Sequence, residues 1–225
     1  MIWEPFLLSL KLAFVTTLSL LVLALPLVYV LHMHRSVFHP AFKALVSLPL
    51  VLPPTVLGYY LLIAFQPNSW LGQLAAEVFG IQLAFSFSGL VLASVIFSLP
   101  FLVNPLLSGL EALPASYQEA AFTLGKSRWL TFWRVLLPNV KASLLVGMVM
   151  SFAHTIGEFG VILMIGGNIP GKTRVASIAI YHEVEALNYA TADVYAAILL
   201  GFSFLVLLGI HAYRGSHVLD PGKAG

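Results

Sequence analysis

Five stretches of this chain are apolar for long enough to cross a lipid bilayer, and nothing else in it restricts the fold as severely. A membrane helix needs about 20 mostly apolar residues to traverse a hydrocarbon core roughly 30 Å thick. Residues 7–31, 44–65, 89–107, 142–165 and 194–213 meet that requirement. Lipid offers the backbone no hydrogen-bond partner, so each segment must satisfy its own amides, as a helix does. The expected fold is an all-α membrane protein with about five transmembrane helices. With 60% of the 225 residues hydrophobic, 9% charged and a mean hydropathy of +0.96, composition excludes a soluble domain. The absence of cysteine excludes a disulfide framework and a thiolate metal site. A scattered net charge of +2 offers no surface to nucleic acid. The opening MIWEPFLLSLKLAF carries no basic cluster and runs into an apolar stretch longer than that of a signal peptide, so the first span is expected to be retained.

An odd number of spans puts the termini on opposite sides, and the positive-inside rule selects between them. With the N-terminus outside, the cytoplasmic segments hold Arg35, Lys43, Lys126, Arg128, Arg134, Lys141, Arg214 and Lys223, against Lys172 and Arg174 on the outer side. Eight against two favours an outer N-terminus and a cytoplasmic C-terminus. Lys11, near the outer end of the first span, is placed to snorkel to the interface. No linker, low-complexity tract or internal repeat divides the chain, so one membrane domain over residues 8–212 is expected, with a cytoplasmic tail at 214–225. The outer loop 166–193 has room for a short helix around 177–185.

The cytoplasmic insertion 114–138 contains EAAFTLGKSRWLTFWRVLLP, beginning at Glu119. Its pattern predicts two short helices. Ser116 and Glu119 have capping-box spacing, Tyr117, Ala120, Ala121 and Leu124 share one face, and Gly125 suits the left-handed residue that closes the helix. Ser127 then caps a second helix, in which Trp129, Phe132, Trp133, Leu136 and Leu137 form an apolar stripe opposite Arg128 and Thr131, until Pro138 stops it. An interfacial hairpin under the bundle, with Glu119 no more than a cap, accounts for this pattern in structural terms alone.

Within the second span, Pro53 and Pro54 remove the donors that would bond the carbonyls of Pro49 and Leu50. A kink is expected there, read either as a structural bend or as the lining of a pathway. In the fourth span, His154 and Glu158 are ionisable groups on one helical face, with Thr155 and Gly157 beside them. A carboxylate repels a divalent oxyanion, so Glu158 fits a hydrogen-bonded structural role or an outer gate. The Thr155 hydroxyl and the backbone at the glycines suit an oxyanion better. GGNIPGKT, from Gly166 to Thr173, matches G-x-x-x-x-G-K-[ST] and raises a rival reading, a membrane nucleotide-binding enzyme. Against it, VILMI ends an apolar run too long for a strand, and no second strand ending in Asp follows to hold magnesium. His32, His34 and His39 invite a metal, yet no Cys or carboxylate joins them, and an interfacial loop explains them. No catalytic or metal-ligating set is expected on the chain.

The run Glu119, Ala120, Ala121, three residues, Gly125, and then Leu137 and Pro138 resembles the EAA loop of ABC-importer permeases. LPLVLPPTVLGYYLL and GEFGVILMIGGNIPGKTR resemble the molybdate ABC transporter permease family and, more loosely, its sulfate and thiosulfate relatives. The resemblance extends over nearly the whole chain and implies a type-1 ABC importer permease (MetI-like) bundle. It implies that Glu119, Ala120, Ala121, Gly125, Leu137 and Pro138 form a coupling loop for an ATPase, and it makes Pro53, Pro54, Thr155, Gly157 and Glu158 candidates for the pathway or gate. A homodimer in the lipid of a bacterial inner membrane is implied, with two cytoplasmic ATPase subunits carrying ATP and magnesium. A periplasmic or extracellular oxyanion-binding protein would deliver the cargo. The chain would then be a transporter subunit without a cofactor of its own, moving molybdate, with tungstate or sulfate and thiosulfate as alternatives.

Overall fold

A computed structural model describes residues 3–34 and 37–218, with side chains through residue 209. Arg35, Lys223, the side chain of Arg214 and the tail beyond Val218 therefore lie outside the described residues. Among those described, three helices are long and apolar enough to cross a membrane: α1 (Glu4–Met33), α5 (Phe87–Glu111) and the Tyr189–Gly209 portion of α12 (Tyr189–Val218). Two further pairs qualify only as bent units. His39–Leu50 with Pro54–Phe65 turns through 105°, and Arg128–Asn139 with Lys141–Gly157 through 77°.

The second expected span and, by a separate break, the fourth are not single straight helices. The second is α2 (His39–Ser47) with a 3-10 turn at Leu48–Leu50, an extended break, and α3 (Pro54–Phe65). Pro53 and Pro54 supply no amide hydrogens, and Pro53 sits at an extended ψ of 134°, so the helix cannot continue through them. The fourth breaks at Glu158–Phe159 into α9 (Lys141–Gly157) and α10 (Gly160–Gly166). The small helices between complete the chain: α4 (Trp70–Phe79), α6 (Ser116–Thr123), α7 (Arg128–Thr131), a π-helical turn at Phe132–Leu136, α8 (Leu137–Asn139) and α11 (Ala176–Glu185). At ten residues, α11 is the short helix expected in the outer loop and is too short to span.

The core lies where α1, α5 and α9 pack together, around Leu20, Ala24, Val28, Leu102, Val103 and Leu106. Lipid tails are as apolar as leucine, so close backbone approach and polar contacts hold such helices together. Here Ser98 and Thr155 meet across α5 and α9 at 3.1 Å. Ser9 Oγ accepts from the Ala176 amide at 2.8 Å, tying the start of α11 to α1, and Phe6 packs at a tilt against Tyr195 of α12, their ring centres 5.7 Å apart. α12 is otherwise peripheral: Leu200, Phe204, Leu205 and Leu208 are exposed.

A second cluster forms where α10 lies against α3. A Cβ on Gly58 would stand 2.9 Å from the Met164 Cβ and 3.2 Å from the Val161 Cα, and one on Gly160 would meet the Pro54 Cβ at 2.8 Å. Glycine on both helices permits this contact, and the two half-helices beside the breaks become one packed pair.

Candidate functional site

The 114–138 segment folds as two unequal parts. The expected capping box at Ser116 does not form. α6 begins one residue earlier, with Ala115 already helical and no side-chain cap, and the Glu119 amide bonds the Ala115 carbonyl at 3.0 Å. Pro114 explains the shift, since its carbonyl accepts from Tyr117 and starts the turn without a cap. Gly125 has φ +73°, the Lys126 amide reaches the Ala121 carbonyl at 3.0 Å, and the Gly125 amide reaches Phe122 at 2.9 Å. These two bonds form a Schellman closure. The shared apolar face also divides. Ala121 is buried, while Ala120, Tyr117 and Leu124 remain exposed.

The second part is fixed to the bundle. Ser127 Oγ accepts from the Leu130 amide at 3.3 Å and caps α7. Tyr29 of α1 meets Trp129 and Phe132 edge-on at 5.1 and 5.3 Å, and Arg128 donates to the carbonyl of Met33, the last residue of α1, at 3.5 Å. Thr131, expected on the polar face, is fully buried beside Phe132. Pro138 does not stop the helix: it enters at the start of α8, after a π turn in which the Leu137 amide bonds the Phe132 carbonyl. One residue accommodated by wider π bonding lets the chain pass the proline before bending at Val140. α6 thus projects from an anchored base. A cavity of about 300 Å³, bordered by His32, His39, Glu111 and Gln118, lies behind it, and Lys43 bonds Glu111 at 2.5 Å alongside. Replacing Gly125 by alanine should cost about 1 kcal/mol, with asparagine milder, because only the backbone angle resists: nothing lies within 4 Å of an added Cβ. Denaturant titration in detergent measures the order.

The other candidates converge at the two helix breaks. Glu158 is buried, and its Oε1 accepts from the Val161 amide at 2.9 Å, which caps the start of α10. Its carbonyl accepts from Ser177 Oγ at 2.7 Å. Its Oε2 faces His154 Nε2 at 4.0 Å, and the His154 ring lies between Phe97 and Phe101. Pro54 touches Gly160, so the break in the second span and the break in the fourth are neighbours. Thr155 is not open to a passing ion: it is 3% exposed and bonds the Ser151 carbonyl at 2.8 Å and Ser98. Gly157 is exposed and faces open space, as are Val51, Pro53, Pro54 and Thr55. Pro54 and Phe65 stand about 17 Å apart along the axis of α3, about half the thickness of a bilayer core. Ser98, Ser177, Phe97 and Phe101 were not legible as site residues. Only the glycines flanking Glu158–Phe159 signalled a break.

The phosphate-loop reading fails on geometry. VILMI is helical, within α10, where the motif requires a strand, and α11 begins only at Ala176. Thr173 is fully buried, donates to the Gly166 carbonyl at 2.7 Å and accepts from the Ile169 amide, so GGNIPGKT closes on itself as a turn. Among the described residues no group of three or more His, Cys, Asp or Glu converges to hold a metal.

Comparison with known proteins places these features in context. Residues 7–223 match the family described as binding-protein-dependent transport system inner membrane component. The molybdenum transport system permease protein ModB of Azotobacter vinelandii is 46% identical over 207 residues, covering 92% of each chain. The sulfate transport system permease protein CysT of Escherichia coli K12 is 34% identical, over 90% of this chain and 73% of that one. Among solved structures, a bacterial alginate ABC transporter in complex with an alginate pentasaccharide-bound periplasmic protein aligns with a TM-score of 0.74 at 15% identity, over 92% of this chain and 76% of that one. An amino acid ABC transporter with histidines aligns at 0.65 and 17% identity, over 96% and 93%. These two likenesses bear on the fold alone.

Proposed function

The chain belongs to the family of binding-protein-dependent transport system inner membrane components, and from that premise we propose that it forms one half of the channel of an ATP-driven molybdate importer. The observation that carries the channel reading is the non-helical break at residues 51–53, with Val51 and Pro53 exposed, next to the Pro54–Gly160 contact. Irregular backbone within a membrane is tolerated only where protein covers it or a water-filled cavity meets it. A second copy, packed across this face, supplies both conditions. The pathway then runs between two copies of the Pro54–Gly160 contact, with Glu158 holding the break in shape rather than touching the anion.

The named likeness to the Azotobacter permease supports molybdate as cargo. Tungstate, of similar size and charge, is expected to follow the same path, and the lower identity of the sulfate permease makes sulfate and thiosulfate the second reading. The N-terminus faces the periplasm, where a binding protein delivers the oxyanion, and the end bearing Lys43, Lys126, Arg128 and Lys141 faces the cytoplasm. There α6 presents Ala120, Tyr117 and Leu124 to an ATPase subunit, one per copy, which holds ATP and magnesium. Closure of the ATPases pushes α6 against the anchored α7–α8 rod. The motion passes to α9, and the cavity opens alternately to either side. The chain performs no bond chemistry in this cycle.

The test is genetic complementation. A bacterium deleted for its own molybdate permease should regain molybdenum accumulation when given this chain with its cognate ATPase and binding protein. Normal ATPase abundance without any accumulation would count against the assignment.

A further inference from the structure

One flank of the bundle carries a feature that the transport reading does not use. Between α1, α4 and α5 runs a groove of about 530 Å³ whose walls include Val15, Leu74, Ala75, Phe79, Phe87 and Val91. That volume lies within the range of about 300–1,000 Å³ typical of small-molecule sites. At its rim stands Lys11, exposed, with Nζ 4.8 Å from the centre of the Phe87 ring. Neither ion pair among the described residues involves it.

Depth identifies what this combination fits. The 30 residues of α1 extend about 45 Å, which exceeds a hydrocarbon core of roughly 30 Å by about 15 Å. Centred in the bilayer, the helix projects about 7 Å at each end, and Lys11 lies about 10 Å from the first residue, at the boundary with the headgroups. Helical side chains lean toward the N-terminus, so its ammonium reaches that level, while Val15 sits one turn deeper among the acyl chains. α4 supports the same placement. Trp70, Leu74, Val78 and Phe79 are exposed together with Gln73 and Glu77, and a ten-residue helix that mixes exposed aromatics with polar side chains is too short to span and suits the interface.

We infer that this groove seats one acyl chain of a phospholipid of net negative charge, with its phosphate held by Lys11. The apolar walls take the methylenes, and Lys11, over the Phe87 ring, supplies a cation at the rim, while Glu77, the acid on α4, is not among the residues that line the groove. A zwitterionic lipid offsets its phosphate with its own ammonium and gains less from the contact.

The full-length chain, purified in detergent, is mixed with equal amounts of palmitoyl-oleoyl phosphatidylglycerol and phosphatidylcholine, and bound lipids are counted by native mass spectrometry. Phosphatidylglycerol adducts should dominate. Lys11→Gln should reduce them about fivefold. Leu74→Trp, which fills the groove from a position that is itself exposed, should reduce them comparably, and Lys43→Gln should leave them unchanged. Both test positions are at the surface, and an unchanged melting temperature confirms that the fold persists. Equal adducts of the two lipids, or adducts unaffected by both substitutions, overturn the site. A loss in Lys11→Gln alone overturns the groove as the seat of the chain. Disulfide-linked dimers of Leu74→Cys in vesicles, readable because the chain has no other cysteine, would put a second copy on this surface and also overturn it.

Discussion

Gly58→Leu is expected to abolish transport and to destabilise the chain by about 3 kcal/mol or more, while Gly201→Leu is expected to do neither. At Gly58 the new side chain would be driven into the Met164 side chain and the Val161 backbone, which lie 2.9 and 3.2 Å from its Cβ. Met164 has room to turn, but the Val161 Cα is fixed by α10, so α3 must move off its partner, the kind of overpacking that costs 1–3 kcal/mol and sometimes more. The separation carries Pro54 away from Gly160 and opens the junction of the two breaks. Gly201 faces open space on α12, and leucine there adds only lipid-facing surface. Thermal unfolding in detergent and uptake in vesicles read the two effects. Transport at wild-type rate in Gly58→Leu would mean that the α3–α10 contact is dispensable.

Glu158→Ala should cost about 1–3 kcal/mol, because the Val161 amide loses its acceptor in an environment where water does not replace it. The first turn of α10 frays, and with it the face that α3 packs against. Glu158→Gln keeps an oxygen for the same amide and should recover most of both stability and uptake. If glutamine is as damaging as alanine, the charge itself matters, and the carboxylate has a function besides capping. The bond from Ser177 to the Glu158 carbonyl is untouched by either change, so the comparison isolates the side chain.

The spans of α1, α5 and α12 were legible because each is an unbroken apolar run, and run length alone predicts a membrane helix. The breaks were legible only in part. Two adjacent prolines announce a kink at 53–54, but its 105° angle depends on what α3 packs against. At Glu158 a long side chain turns back to cap the helix that follows it, and hydropathy does not register such a contact. Gly125 was readable because a single residue type suits its left-handed angle. Ser116 was misread because its spacing to Glu119 also fits a helix already begun at Ala115, with Pro114 starting the turn. Thr131 shows the same limit. Its place opposite the aromatic stripe suggests solvent, and it is fully buried instead. Local pattern identifies elements, whereas burial of a polar residue depends on neighbours distant in the chain.

Molybdate transport by this chain is measured by reconstituting it with its ATPase and binding protein in vesicles and following ATP-dependent uptake of labelled molybdate against unlabelled competitors. Tungstate should compete as strongly as molybdate itself, while a hundredfold excess of sulfate should leave uptake nearly intact. Uptake displaced by equimolar sulfate, or labelled sulfate accumulating faster than molybdate, would contradict the account.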